Sequence, residues 1–177
     1  MATVDPRGLG SGDYELRPLR RDDFHKGYVP LLCQLTKADT LTEEGFGEVF
    51  SYRERLAEVY HTLVVEHLPS QTLAATGTLV IEAKFVRGGS KIGHVEDIVT
   101  DSNHRGKGLA RDLLAALADH AKSTGCYKVI LDCNSKNVPL YEKCGYRQCE
   151  VQMRLDVPQD PDHVPSPSSA SCQGKVG

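Results

Sequence analysis

The stretch that decides the fold runs from residue 94 to residue 121 and reads HVEDIVTDSNHRGKGLARDLLAALADHA. Its start has a β-branched strand pattern, and its end has apolar residues at 109, 110, 113, 114, 117, 118 and 121, the spacing of one helix face. Between them, Gly106 and Gly108 alternate with Arg105 and Lys107. Because N–H groups and the dipole at a helix N-terminus attract anions, this junction predicts a pyrophosphate site. A glycine-rich turn with solvated cations is the alternative interpretation.

Two better-known phosphate loops do not fit this junction. The Walker pattern requires Gly-Lys followed by Ser or Thr, which the chain does not contain. The dinucleotide-binding pattern requires a third glycine at the position of Arg111. The loop therefore indicates another kind of phosphate site.

Before the junction, the hydrophobic period changes several times along the chain. Residues 14–19 predict a short strand, and residues 21–36 predict a helix that is interrupted at Pro30. Thr42 is the predicted N-cap of a second helix. Three strands then follow in an order typical of an antiparallel meander, over 60–68, 73–86 and 92–100.

After the long helix, residues 127–133 predict a buried strand, residues 137–145 a short helix, and residues 146–155 a last strand. The predicted order is β-α-α-β-β-β-α-β-α-β. This order indicates an α/β (α+β) domain in which helices pack on a mixed, mostly antiparallel sheet.

Composition narrows the remaining possibilities. The 177 residues are 40% hydrophobic, enough for one core, and their net charge of −3 does not favour a nucleic-acid binder. No run reaches the roughly 18 apolar residues of a membrane span, and the first residues lack the apolar segment of a secretory signal. We therefore expect one intracellular domain over 13–157 with reduced cysteines, flanked by disordered tails over 1–12 and 158–177.

The pattern Arg-x-x-Gly-x-Ala at 105–110, placed between a meander strand and an amphipathic helix, resembles the acetyl-CoA-binding signature of the GCN5-related N-acetyltransferase (GNAT) superfamily. The whole element order resembles the GNAT acyltransferase fold, with helices on both faces of the sheet. The resemblance implies acetyl-CoA as the acetyl donor and no metal. It also implies a splayed strand that meets the pantetheine arm through Ile98, Val99 and Thr100. The implied pyrophosphate contacts are Arg105, Gly106, Lys107, Gly108, Leu109, Ala110 and Arg111.

Several longer segments give a closer resemblance, which extends from Tyr14 to Arg154. Leu-Thr at 35–36, ATGTLVIEAKF at 75–85, GHVEDIV at 93–99, GCYKVILDC at 125–133 and NVPLYEKCGY at 137–146 resemble the glucosamine 6-phosphate N-acetyltransferases. This resemblance implies acetylation of glucosamine 6-phosphate on the route to UDP-N-acetylglucosamine, by direct transfer within an intimate homodimer. The residues it implies around the sugar phosphate are Thr36, Lys84, Phe85, Val86, Arg87, Glu96, Asp97, Ile98, Tyr127 and Lys128.

The charged residues suit such a substrate on chemical grounds as well. An aminosugar phosphate needs cations at its phosphate and carboxylates near its amine and hydroxyls. The candidate cations are Lys84, Arg87, Lys128 and Arg154, and the candidate carboxylates are Glu96, Asp97 and Asp132. Successive residues of a strand face opposite sides, so Glu96 and Asp97 can share one ligand only if a bulge intervenes. Where the family's last strand often ends in a basic pair, this chain has Arg154-Leu155-Asp156. If the family's phosphate contact falls at position 156 it is lost here and Arg154 would have to substitute, so the sequence does not decide which cation meets the phosphate.

Acetyl transfer from a thioester needs a neutral amine, a donor toward the oxyanion and a proton for the leaving thiolate. Tyr141 matches the family tyrosine beside the CoA sulfur, with Glu142 and Lys143 also near CoA, and we assign Tyr141 the proton-donor role. Asp132 is the candidate for binding the amine, either as the base that accepts its proton or as a group that only positions it. A backbone N–H near Ile98 is the candidate oxyanion donor.

Two other residues have both a structural and a catalytic interpretation. Cys133 could act as a nucleophile, but no histidine follows it in a catalytic arrangement, and a packed strand residue is favoured. His94 could act as a base, and a structural hydrogen-bonding role is favoured instead.

Two rival functions remain at this point. One is a GNAT enzyme for a polyamine or a protein N-terminus, and the other is a catalytically silent CoA-binding module. A cytoplasmic location is expected, with peripheral attachment to an internal membrane left open.

Overall fold

The structure is a computed structural model that describes residues 12–38 and 40–157. Its strands are β1 (Tyr14–Pro18), β2 (Tyr60–His67), β3 (Thr72–Ala83), β4 (Lys91–Thr100) and β5 (Cys126–Ile130). Its α-helices are α1 (Tyr28–Cys33), α2 (Glu43–Arg55), α3 (Leu109–Ser123) and α4 (Val138–Lys143). Short 3-10 helices cover Arg21–Lys26, Ser102–His104 and Ser135–Asn137. The tails predicted over 1–12 and 158–177 lie outside the described residues, apart from Gly12.

The strands follow chain order across one sheet, β1-β2-β3-β4-β5. The pairs from β1 to β4 are antiparallel, whereas β5 runs parallel to β4. A parallel neighbour requires a crossover connection, and α3 supplies it. The predicted meander and the mixed, mostly antiparallel sheet are confirmed.

Helix α3 covers one face of the sheet with the apolar stripe that the sequence predicts. Leu113 and Leu117 are fully buried against strand residues such as Val65, Leu79 and Val95. Helices α1 and α2 cover the opposite face, where the buried side chains are Tyr28, Leu31, Phe46, Val64, Leu73 and Val99. Each buried leucine of this kind contributes about 2 kcal/mol, so the sheet is held between two apolar layers.

A buried ionic network joins the first 3-10 helix to the sheet. Arg17 of β1 is 3% exposed and donates to both carboxylate oxygens of Asp23, at 2.8 and 2.6 Å. It also donates to Glu66 of β2, which accepts a further bond from Lys26 at 2.8 Å. Burial alone would lower the pKa of Arg17, but Asp23 and Glu66 raise it, so the guanidinium stays charged.

The predicted helix over 21–36 is divided at Gly27 and not at Pro30. Gly27 has φ 87°, a left-handed conformation that ends the 3-10 helix and starts α1. Pro30 lies in the first turn of α1, where a backbone N–H has no helical partner to lose, so it does not interrupt the helix.

The last two predicted strands differ from the structure. β5 ends at Ile130 and lies at the sheet edge with most of its residues exposed, so the buried strand over 127–133 is wrong. Residues 147–157 form no strand, although Val151, Met153, Leu155 and Val157 alternate and are 84%, 88%, 88% and 70% exposed. A strand forms only when a neighbour accepts its hydrogen bonds, and within the described ranges no strand lies beside this segment.

Within residues 12–38 and 40–157, each helix is too short or too polar to cross a lipid bilayer.

Two stacked histidines predict how stability depends on pH. The rings of His61 (β2) and His120 (α3) lie 3.6 Å apart between centroids, and burial together with His120 lowers the pKa of His61 to about 4. Between pH 6.5 and 4 the unfolded chain binds a proton at this residue and the folded chain does not. The free energy of unfolding therefore falls as pH drops through that range, by about 2 kcal/mol from His61.

In His61→Phe, which keeps a ring on His120 but cannot titrate, the pH dependence of urea unfolding between pH 6.5 and 4 should be shallower by that amount. His25→Gln, at a histidine whose side chain is 65% exposed, is the control and should keep the slope of the native protein. An unchanged slope in His61→Phe would contradict the prediction.

Candidate active site

The site is built where β4 and β5 part. The two strands pair only from Lys91–Cys126 to His94–Ile130. β4 then continues to Thr100 along β3, whereas β5 has ended. Within the described ranges no strand therefore pairs with the outer edge of β4 beyond His94, and its backbone groups there can bond a ligand.

A bulge in β4 lies directly at this gap. Thr78 pairs with Glu96 and Thr76 pairs with Val99, so two residues of β4 face one of β3. Asp97 has φ 56°, a conformation that few non-glycine residues adopt. The bulge that sequence analysis required for Glu96 and Asp97 is present, and both side chains are exposed.

Three carboxylates converge at the bulge. Burial raises the pKa of Glu96, and the negative charges of Asp132 and Asp97 raise it further. Asp132 lies in the loop after β5 and is exposed, not on a central strand as predicted. The arrangement forms an acidic pocket that can bind an ammonium group and take a proton from it.

His94 is held by hydrogen bonds beside this pocket. Its Nε2 lies 2.9 Å from Glu82, which also accepts from Lys84 at 2.5 Å. The pairing with Glu82 agrees with the structural interpretation of His94. Because the Lys84 ammonium is paired with Glu82, its positive charge is already partly neutralised within the chain.

Tyr141 of α4 packs against the apolar layer under α3 and lies close enough to Asp132 for that charge to influence its pKa. Its ring makes an edge contact with Tyr146 at 6.0 Å between centroids. Burial raises the pKa of the Tyr141 phenol, and Cys133, Cys144 and Asp132 raise it further, so this group keeps its proton. Cys133 lies beyond the end of β5 and is exposed, so its predicted role as a packed strand residue is wrong.

The glycine-rich loop leads into α3 as predicted. Gly106 has φ 77° and Gly108, the N-cap of α3, has φ 83°. A Cβ at Gly108 would lie 3.2 Å from Nη2 of Arg111, so a side chain there would crowd the turn. The first N–H groups of α3 have no helical acceptor, and the loop can present them to a phosphate.

The side chains of this loop already have partners. Lys107 donates to the hydroxyl of Tyr14 at 2.7 Å, and that hydroxyl lies 2.8 Å from Nδ1 of His104. Arg111 donates to Asp112 at 3.1 Å. Anion binding at the loop therefore depends chiefly on backbone N–H groups and the α3 dipole.

A cluster of cations and aromatics lies at the hairpin and β5. Arg87 and Lys128 lie 4.8 and 5.8 Å from the ring centre of Tyr127. At the hairpin tip, Phe85 is fully exposed and Val86 is 63% exposed. This cluster offers two positive charges to a phosphate.

Thr36 and Arg154 lie in different situations. Thr36 follows α1 in a loop that Gln34 ties to Asp101 at the end of β4, at 2.6 Å. Arg154 is exposed and donates to Asp156 at 2.7 Å, in the segment without strand partners. Among the described residues, the partner that the structure gives Arg154 is Asp156 and none of the other candidates.

Three residues near the bulge were missed by the sequence patterns. Tyr28 is buried close enough to Asp97 for that charge to influence its pKa. Arg53 of α2 donates to Thr62 and Thr78 of the sheet, at 3.1 and 3.4 Å. Gly77 lies opposite the bulge, and a lone glycine inside a strand pattern was the signal that could have found it.

A strand edge that can bond an extended ligand, an anion-binding helix start, an acidic pocket and a protonated phenol together suit acyl transfer to an amine. The family model described as "Acetyltransferase (GNAT) family" matches residues 23–146, and the chain belongs to that family.

Its relatives narrow the comparison. The chain is 43% identical over 140 residues to the glucosamine 6-phosphate N-acetyltransferase of Arabidopsis thaliana, which covers 79% of this chain and 94% of that protein. The enzyme of the same name from Trypanosoma brucei brucei is 41% identical over 145 residues, 82% of this chain and 97% of that protein. The crystal structure of the Arabidopsis thaliana enzyme matches with a TM-score of 0.79 at 42% identity, covering 81% of this chain and 97% of that one.

Proposed function

We propose that this chain transfers the acetyl group of acetyl-CoA to the amine of glucosamine 6-phosphate and supplies N-acetylglucosamine 6-phosphate for UDP-N-acetylglucosamine synthesis. The observation that carries the proposal is 41–43% identity to relatives of that activity over 94–97% of their length. The acidic pocket and the neighbouring cations give the proposal its chemistry, because the substrate has one amine and one phosphate.

Acetyl-CoA supplies a thioester whose acyl group an amine can take. The chain has a fitting place for it, because positive φ angles at Gly106 and Gly108 leave the loop backbone without side chains in the way. Residues 105–111 would hold the pyrophosphate through N–H groups, and the free edge of β4 at Ile98, Val99 and Thr100 would bond the pantetheine arm. Tyr141, Glu142 and Lys143 would line the same arm from α4.

The amine is oriented and deprotonated at the carboxylate pocket. Asp132 lies near Glu96 and is exposed, so it can accept a hydrogen bond from the amine and then its proton. The raised pKa of Glu96 makes this carboxylate a second acceptor at the same place. A sugar amine releases its proton more readily than a lysine side chain, so a modest base is sufficient.

Tyr141 holds a proton at its phenol oxygen for the leaving thiolate. Its pKa is raised by burial and by neighbouring negative groups, so the hydroxyl remains a donor at neutral pH. The proton is needed only as the carbon–sulfur bond breaks, and the group therefore acts on the rate more than on binding.

The phosphate is bound at the hairpin before β4, beside the part of β5 that is still paired with β4. Arg87 and Lys128 lie against the Tyr127 ring there and supply charge, whereas the Thr36 loop lies at the other end of β4. Charge-assisted bonds to phosphate are about twice as strong as neutral ones, and they distinguish the phosphorylated sugar from glucosamine.

The functional form proposed here is a homodimer. Residues 147–157 expose an alternating apolar row and pair with no strand among the described residues. Within the same residues β5 is an edge strand with an open outer side, and the pairing of such edges is a common route to association. A second copy that covers this row would also place Arg154 beside a site that a single chain leaves without it.

A cytoplasmic location fits the thiols of the chain. Cys133 and Cys149 are exposed, and exposed thiols persist in reducing compartments.

The substrate is tested by transfer from radiolabelled acetyl-CoA to glucosamine 6-phosphate, glucosamine, spermidine and a peptide amine. Turnover should be at least ~10-fold faster with the phosphorylated sugar than with glucosamine, because the phosphate adds charge-assisted bonds. Lys128→Ala should narrow that ratio without weakening acetyl-CoA binding. Preference for spermidine would instead favour a polyamine enzyme that uses the acidic pocket, and binding of acetyl-CoA without transfer would favour a silent module.

In Tyr141→Phe, kcat should fall ~100-fold or more while the KM for each substrate changes by less than ~3-fold, because a general acid acts in the transition state. The matched control is Tyr146→Phe, on the neighbouring tyrosine, whose buried hydroxyl makes no hydrogen bond within the described residues. It should keep kcat. An equal loss in both variants would contradict the proton-donor role.

The dimer is tested by analytical ultracentrifugation, in which the chain should sediment at twice its 19.4 kDa mass. The double variant Met153→Glu, Leu155→Glu should sediment as one chain, because charges replace the apolar row. Gln152→Glu adds a charge on the alternate side of the same segment and should remain dimeric. A wild-type chain that sediments as a monomer would exclude the dimer.

A further inference from the structure

Gly77 occupies the middle of β3, where a glycine weakens a strand because it has no side chain to pack. The register between β3 and β4 explains why a glycine is present at this position. Its neighbours Thr76 and Thr78 pair with Val99 and Glu96 of β4, so Gly77 is the single residue that faces the two bulged residues Asp97 and Ile98.

The space beside Gly77 is filled by Ile98. A Cβ built at position 77 would lie 2.3 Å from Cδ1 of Ile98, far closer than real contacts allow. The same Cβ would lie 3.1 Å from Leu113 and 3.4 Å from Leu117, both of α3. The isoleucine therefore lies over the bare backbone of β3 and is confined on its far side by the helix.

This contact sets the direction of the bulge. Val95 packs on the α3 side of the sheet, and without a bulge the strand would turn Ile98 to the opposite side. In the structure Ile98 returns to the α3 layer and Val99 packs against α1 and α2. Asp97 becomes the extra residue, with φ 56°, and its carboxylate joins Glu96 on the exposed side.

We propose that Gly77 is a positioning residue for acetyl transfer, which acts by leaving room for Ile98 and so fixing the β4 bulge. Its effect on catalysis rests on the proposed function, because the bulge carries the carboxylates of the acceptor pocket and borders the donor arm. Gly77 itself touches neither substrate. It acts through the placement of the backbone at residues 96–98.

In Gly77→Ala, the new methyl group displaces Cδ1 of Ile98, and the crowding by Leu113 and Leu117 on the α3 side disfavours a simple change of rotamer. We expect the bulge to shift toward the gap. Since misplacement of reacting groups by about 1 Å can cost ~100-fold in rate, kcat should fall at least ~10-fold. The Kd of CoA should change less than kcat does, because the loop that holds the pyrophosphate is untouched and only the Ile98 part of the pantetheine contact moves.

The rescue variant removes only the clashing atom. Valine lacks Cδ1, so Gly77→Ala, Ile98→Val should recover kcat to within ~3-fold of Ile98→Val alone. Gly93→Ala is the control for crowding elsewhere in the sheet, because its Cβ would lie 2.7 Å from Leu79 and away from the bulge. It should lower the thermal midpoint and keep kcat when assayed well below that midpoint.

The inference is overturned if Gly77→Ala keeps kcat within ~2-fold of wild type, if Ile98→Val fails to relieve the loss, or if Gly93→Ala loses kcat equally. A crystal structure of Gly77→Ala gives a readout that needs no activity. It should show residues 96–98 displaced, and an unchanged bulge also overturns the inference. If the wild-type chain fails to acetylate glucosamine 6-phosphate while that bulge is displaced, the proposed function fails and the structural role of Gly77 stands.

Discussion

Hydrogen-bond pairing along β4 is the constraint from which the site follows. Backbone donors and acceptors in a sheet need partners, and β4 has them on both sides only as far as His94. Beyond that point, among the described residues, β4 is hydrogen-bonded to β3 alone, and the bulge opposite Gly77 shifts the register of β4 by one residue. The parting of β5 exposes a bonding edge, and the bulge delivers two adjacent carboxylates to one side of it. The bulge depends on the apolar layer under α3, which keeps Ile98 in place.

The site separates charge along the gap. At the start of α3 the partial positive charge is supplied by backbone N–H groups, since the loop cations Lys107 and Arg111 are bonded within the chain. The bulge is acidic, and the hairpin with β5 is basic around Tyr127. Tyr141 stays neutral because burial disfavours its phenolate. In the proposed reaction, an amine, a phosphate and a leaving thiolate would each meet a group of suitable charge.

Sequence patterns predicted the parts whose cause is local. The apolar stripe of α3, the glycines before it and the antiparallel meander follow from periodicity and turn chemistry, and they place the glycine-rich turn at the start of α3 correctly. The two-residue alternation of side chains along a strand could not predict the bulge, because the decisive contact joins Gly77 of β3 to Ile98 of β4. The strand over 146–155 has the right alternation but lacks a neighbour in one chain. Cys133 looked like a core residue because its segment is apolar, yet the chain leaves the sheet before reaching it.

The ionic trio of Arg17, Asp23 and Glu66 limits how this sequence can drift. Its charges are almost completely buried, so the loss of one partner leaves an uncompensated charge at a cost of about 3–5 kcal/mol, whereas apolar groups replacing the whole set can be neutral. A single substitution at one of these positions therefore destabilises the fold, whereas the intact ionic set and its complete apolar replacement are both tolerated. A descendant of this chain should keep all three residues or have all three replaced together. Substitutions at this part of the β1–β2 pair should therefore occur as a set and not one at a time.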